Sequence, residues 1–199
     1  MLEGRDLACI RGERAVFAGV SFRVAPRGAL LLTGANGAGK SSLLRVVAGL
    51  LPAAAGALLW QGEAAPGDRA LHAMRLRYLS HLDAAKPALS VAENLGFYAR
   101  LWGGEVARAL DALGLASLAE LPARVLSAGQ KRRLALARLA LAPPGAVPLW
   151  LLDEPSTGLD AASVARLGPL FAAHRAAGGM VVAATHLPLP LPDAAELRL

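Results

Sequence analysis

Cysteine, lysine and aromatic residues are all scarce in this chain of 199 residues. The one cysteine, Cys9, cannot close an internal disulfide, so a hydrophobic core must hold the fold and a reducing compartment is expected. In its apolar surroundings Cys9 reads as a small core residue. Lysine occurs only at positions 40, 86 and 131, and arginine carries nearly all the positive charge. Long apolar runs are missing too. The longest uncharged stretches, Val46 to Gly62 and Ala176 to Pro192, are each interrupted by glycine and proline. A membrane-spanning helix needs about 20 apolar residues without such breaks. The hydrophobic content of 55 % and mean hydropathy of +0.43 therefore do not come from a span. Met1 to Asp6 lacks the apolar segment of a signal peptide, so none is expected. Disorder is excluded by the apolar content, much of it Ala and Leu. Basic residues outnumber acidic ones, 21 to 15, a net charge of +6. Dense basic patches are absent, and Lys131-Arg132-Arg133 is the longest run. The surplus permits an anionic partner, but no nucleic acid is expected.

The length suits one domain. Strand-like and helix-like segments alternate along it. Val16 to Val24, Ala29 to Thr33, Ala57 to Trp60, Arg75 to Ser80, Leu149 to Leu152 and Met180 to Ala184 predict strands. Helices are expected from Gly39 to Ala48, stopped by Gly49, and from about Val91 to Leu101, behind the capping box Ser90-Val-Ala-Glu93. Others are expected from about Glu105 to Leu113, from about Ala128 to the Pro143-Pro144 pair, and from Ala161 to Ala177. The wholly apolar runs Leu149 to Leu152 and Met180 to Ala184 fit strands buried on both faces, as in a parallel sheet. An α/β layout with a helical insert follows.

Chemistry concentrates at two strand ends. After Ala29 to Thr33 comes Gly34-Ala35-Asn36-Gly37-Ala38-Gly39-Lys40-Ser41, the pattern G-x-x-x-x-G-K-S, followed by Ser42. Glycines let the backbone turn its N–H groups inward around phosphates, and the helix that follows adds its positive end. Lys40 reaches the β- and γ-phosphates, Ser41 ligates Mg²⁺, and Ser42 serves the α-phosphate. ATP and Mg²⁺ are the expected ligands. The second strand, Leu149 to Leu152, ends in Asp153-Glu154. Asp153 is expected to hold Mg²⁺ through water, and Glu154 to polarise the attacking water.

Leu126-Ser127-Ala128-Gly129-Gln130 resembles the signature of ATP-binding-cassette (ABC) ATPases, LSGGQ, with Ala128 in place of the first Gly. Pro155 to Asp160 resembles the family's D-loop, and Ala184-Thr185-His186 its switch histidine. The order of the motifs is also the family's. The resemblance implies a P-loop NTPase core with a mostly parallel sheet, N-terminal antiparallel strands and an inserted helical subdomain. It places residues 1–85 and 142–199 in the nucleotide-binding core and 86–141 in the helical part, all within one ATP-binding domain. It implies an ATPase in which Glu154, His186 and Lys40 are catalytic. It further implies that Ser127, Gly129 and Gln130, with Asp160 nearby, close on the ATP of a second copy in a head-to-tail dimer. Two positions depart from the pattern. His81 stands where a Gln usually does, and is a further candidate Mg²⁺ ligand. Arg11 stands at the spacing of the aromatic that stacks on adenine; a guanidinium plane can also stack on a base.

Finer details resemble the ATP-binding subunits of haem exporters in cytochrome c maturation. They are His81 to Leu95, the run Leu126-Ser-Ala-Gly-Gln-Lys-Arg-Arg133, and the ending from Ala184-Thr-His186 onward. This implies a peripheral subunit on the cytoplasmic face of the bacterial inner membrane, paired with a polytopic membrane subunit and with haem-handling assembly proteins. The rival readings are an ATPase for a different exporter, of lipids or drugs, and a nucleic-acid-binding ATP switch. The Asp153-Glu154 pair speaks against a pure binding module. No haem-attachment motif is present, and His81 is not expected to bind haem.

Overall fold

A computed structural model describes residues 1–65 and 67–199. Among these residues the strands form two sheets. The first is antiparallel and pairs β1 (Leu2–Arg11) with β2 (Arg14–Val24) and β4 (Ala55–Trp60), with β5 (Glu63–Ala64) on the edge beside β4. The second is parallel throughout. Its order is β6 (Leu76–Leu79), β7 (Leu149–Asp153), β8 (Met180–Ala184), β3 (Ala29–Thr33) and β9 (Ala195–Arg198).

Strand alternation decides what each face of the parallel sheet covers. Leu30 and Leu32, Leu149 and Leu151, and Met180 and Val182 pack on one side. They meet Leu43, Leu44, Val46 and Val47 of α1 (Lys40–Val47) and the inner residues of the antiparallel sheet, such as Leu2, Leu7 and Leu58. The other side carries Ala29, Trp150, Leu152, Val181 and Ala183. These pack in one continuous core with α3 (Val91–Trp102), α4 (Val106–Ala112), α5 (Ala128–Ala137) and α7 (Leu167–Ala176). Strands buried on both faces have no polar side to show, which is why β7 and β8 are uniformly apolar until Asp153.

Some boundaries differ from the sequence expectation. The helix expected from Ala161 to Ala177 is two, α6 (Ala161–Ala165) and α7, broken at Arg166. Pro169 has no N–H to give the carbonyl of Ala165, so the ladder cannot run through. The helix after Ala128 tightens into a 3-10 turn at Arg138–Ala140 before the proline pair. The elements not expected include β1, β5, β9 and α2 (Arg69–Met74), which Asp68 caps by accepting the Leu71 N–H. Among the described residues no helix is long and apolar enough to cross a membrane.

Candidate active site

All strands of the parallel sheet end at the same edge, and the loops leaving them build one site. β3 runs into the phosphate loop, β6 into His81, β7 into Glu154 and β8 into His186. Parallel sheets gather their ligands at this carboxyl edge, so the topology alone brings four distant sequence segments together.

The phosphate loop turns on three glycines with positive φ: Gly34 at 126°, Gly37 at 84° and Gly39 at 104°. Two also allow close packing. A Cβ on Gly34 would lie 2.5 Å from the Leu199 carbonyl oxygen, and one on Gly39 would lie 2.9 Å from Val16 Cγ1. The buried Lys40 folds over the loop and donates from Nζ to the carbonyls of Gly34 (2.8 Å) and Ala35 (3.0 Å). Both acceptors are neutral, so they leave the ammonium charge available to an anion. The Ala38 N–H closes a turn on Ala35 O at 3.2 Å. Above the loop lies a cavity of about 450 Å³. Asn36, Gly37, Gly39, Lys40, Ser41 and Ser42 line it from the loop, and Arg11 and Arg14 from the antiparallel sheet. Arg11 thus shares one cavity with the phosphate loop. Phe17, the nearest aromatic in sequence, is buried under Gly39 and has no face toward the cavity.

Ser41 donates from Oγ to Asp153 Oδ1 at 2.8 Å, joining the phosphate loop to the end of β7. The other oxygen, Asp153 Oδ2, is buried without a hydrogen-bond partner, and His81 Nδ1 stands 3.7 Å from it. That orphaned oxygen beside Ser41 fits a hard cation. Magnesium takes oxygen ligands, few of them from protein, and completes its shell with water and phosphate oxygens. Among the described residues no group of three or more His, Cys, Asp or Glu forms a metal cage, in keeping with such a partial donor set. The His81 nitrogen suits softer ions better, and at 3.7 Å from Oδ2 it makes no hydrogen bond to the carboxylate.

Glu154 sits one residue further on, with φ at +50°. Its buried Oε2 lies 2.8 Å from His186 Nδ1 but accepts no hydrogen bond there, because the geometry of the approach is poor. A second cavity of about 400 Å³ adjoins the first and shares Asn36, His81 and Glu154 with it. Its other walls include Ala128, Arg132, Thr157, Gly158 and His186.

The remaining expected residues lie elsewhere. Ser127 caps α5 in a reciprocal box: its hydroxyl accepts the Gln130 N–H at 3.2 Å, and Gln130 Oε1 accepts the Ser127 N–H at 2.8 Å. Gly129 packs so closely on Gly158 that a Cβ would lie 2.9 Å from its carbonyl oxygen. Asp160 caps α6 by accepting the Ser163 N–H at 2.7 Å, and this bond holds its carboxyl below the usual aspartate range. None of Ser127, Gly129, Gln130 and Asp160 lines the cavity over its own phosphate loop. Sequence reasoning missed Arg14 and, more consequentially, Arg132, which donates to the backbone on both sides of Glu154. A signal for Arg132 exists: it shares the i, i+3, i+4, i+7 face with Ala135, Leu136 and Leu139, all buried.

The ABC transporter family matches residues 17–157. The chain is 59 % identical over 199 residues to the cytochrome c biogenesis ATP-binding export protein CcmA of Rhodospirillum rubrum, covering 98 % of this chain and 84 % of that one. It is 56 % identical to the protein of the same name from Paramagnetospirillum magneticum, over 98 % of this chain and 92 % of that one. Among solved structures it resembles an ATP-binding subunit of an ABC transporter, with a TM-score of 0.81 and 25 % identity over 94 % of this chain and 79 % of that one. A putative ABC transporter ATP-binding protein from Pyrococcus furiosus shares the fold, with a TM-score of 0.83 and 22 % identity over 100 % of this chain and 96 % of that one. With its phosphate loop, carboxylate pair and sheet order in place, the chain belongs to the ABC transporter family, as an ATP-binding subunit that hydrolyses ATP.

Proposed function

We propose that this ATPase drives the exporter of cytochrome c biogenesis, coupling ATP hydrolysis to haem export or to release of haem from its chaperone. The names of relatives 59 % and 56 % identical over nearly the whole chain support that assignment. The site reading rests on one observation: Ser41 and Asp153 meet at 2.8 Å, with Asp153 Oδ2 left free and buried beside Glu154. The loop amides and Lys40 bind the phosphates of ATP, and Arg11 lies against the base. Ser41 and Asp153 hold Mg²⁺, which when bound neutralises charge on the β- and γ-phosphates. Glu154 orients and polarises the attacking water. His186 lies beside that carboxylate, 2.8 Å from Glu154 Oε2, and faces the γ-phosphate. His81 stands at the site of the usual Gln, 3.7 Å from Asp153 Oδ2.

Family members work as dimers with membrane subunits. Here Ser127, Gly129 and Gln130 serve the ATP of a second copy, with Asp160 at the same junction. Their distance from this chain's own cavity supports that division of labour. Residues 1–85 and 142–199 form the nucleotide-binding core and 86–141 the helical part of a single domain. Its partners are a polytopic membrane subunit and haem-handling assembly proteins, and its place is the cytoplasmic face of the inner membrane. Exposed Leu82, Phe97, Leu101 and Met74 support an apolar contact with such a subunit. Glu154→Gln tests the account: ATP binding persists while turnover and holocytochrome formation are lost. Wild-type turnover by this variant would overturn the role of Glu154. Normal holocytochrome levels with turnover lost would overturn the cytochrome c assignment.

A further inference from the structure

Arg132 is a buried cation that the scheme above does not use. It lies in the second turn of α5 and is only 4 % exposed. A guanidinium has five N–H donors, and a buried one must place them all. Nη2 donates to the carbonyls of Asp153 (2.6 Å) and Glu154 (2.7 Å), and Nε to that of Pro155 (3.3 Å). Nη1 donates to the carbonyl of Ser80 (2.9 Å) and to Asp83 Oδ1 (3.1 Å). All five donors are accounted for, and four of the acceptors are neutral carbonyls. Three of those are consecutive. The fork therefore reads backbone geometry more than charge, and its target is centred on Glu154.

Glu154 needs such a hold. A φ of +50° is rare outside glycine, and it costs roughly 1–3 kcal/mol unless the surroundings enforce it. Its N–H is pinned by the Ala184 carbonyl at 2.8 Å. Arg132 pins its carbonyl at 2.7 Å. Relaxation to an ordinary conformation would rotate the side chain away from His186 and out of the cavity wall.

We infer that Arg132 is a positioning residue for Glu154: it keeps the Glu154 backbone left-handed, and through Ser80 and Asp83 ties it to the loop that carries His81. Lysine cannot replace it, because three N–H groups on one nitrogen cannot serve five acceptors divided between Asp153 to Pro155 and the loop of Ser80 and Asp83. The inference rests on Glu154 polarising the water.

The test compares Arg132→Lys, Glu154→Gln and the double variant, each as the full chain with its membrane subunits. Arg132→Lys lowers the melting temperature but stays folded, KM for ATP stays close to wild type, and kcat falls roughly 10- to 100-fold, the loss expected from a misplaced group. Added to Glu154→Gln, the same change lowers the residual kcat no further, because both act through one carboxylate. A wild-type kcat in folded Arg132→Lys overturns the inference, as does a full further loss in the Glu154→Gln background, which a merely structural role would give. If Arg132→Lys does not fold, Asp83→Ala, which removes the Oδ1 acceptor, decides. Loss of one acceptor then lowers kcat several-fold at unchanged KM, and an unchanged kcat overturns the inference. Wild-type turnover in Glu154→Gln removes the underlying reading instead, and this inference with it.

Discussion

His174 sits in the core with no solvent exposure, its ring stacked on Trp150 at 3.7 Å and 9° between planes. Nε2 reaches the Met180 carbonyl at 3.3 Å, and Nδ1 has no partner. Gly179 makes room for the ring, since a Cβ there would overlap it. Burial disfavours the charged imidazolium and lowers the pKa from 6.5 to about 4, and the bond to Met180 offsets only part of this. The folded protein therefore binds fewer protons than the unfolded chain between those two values. Above pH 6.5 both states are neutral and His174 contributes no pH dependence. As pH falls, the unfolded state is protonated first, and stability is lost until the folded pKa is reached. Linkage puts the loss at about 2 kcal/mol by pH 5 and about 3 kcal/mol by pH 4. For a chain of this size, the loss at pH 5 lowers the melting temperature by about 4–8 °C. His174→Phe keeps a stacking ring on Trp150 and removes the titration. Thermal unfolding of both proteins at pH 7 and pH 5 isolates the effect, because all other titrations cancel in the difference. The wild type loses about 2 kcal/mol more than the variant. Parallel loss in the two proteins would refute the reasoning.

Two further outcomes follow from the site. Gly39→Ala forces a Cβ to within 2.9 Å of Val16 Cγ1 at a φ of 104°. The strain of roughly 1–3 kcal/mol falls on the phosphate loop and weakens ATP binding about tenfold or more in a nucleotide titration. His186→Ala leaves ATP affinity near wild type and lowers kcat about 100-fold in a steady-state assay, since the group it removes touches Glu154 and not the phosphate loop.

The parallel sheet and the catalytic edge were legible because they depend on local, unambiguous signals. Ala29 to Thr33 and Met180 to Ala184 are bounded by glycines or polar residues, and their observed limits match the expected ones. The phosphate loop is defined by fixed glycines whose backbone angles only glycine takes easily. β1 escaped because its alternation is interrupted. Arg5 and Asp6 face solvent in succession, Asp6 has a φ of +46°, and the register to β2 shifts between Gly4 and Leu7. A bulge of this kind erases the period of two on which strand recognition depends. β9 is four residues long and largely exposed. Arg132 lay within the basic run Lys131 to Arg133, and only its helical phase against buried neighbours separates it from a solvated arginine. Its acceptors are main-chain carbonyls far away in sequence, which no side-chain motif records.

In the proposed function Glu154 activates water for ATP held between two copies of this chain. Light scattering of Glu154→Gln with and without ATP tests it most directly. The expected result is a dimer that accumulates with ATP and persists because hydrolysis cannot release it, while the same protein without ATP is monomeric. A monomer at saturating ATP, or ATP consumed at the wild-type rate, would contradict it.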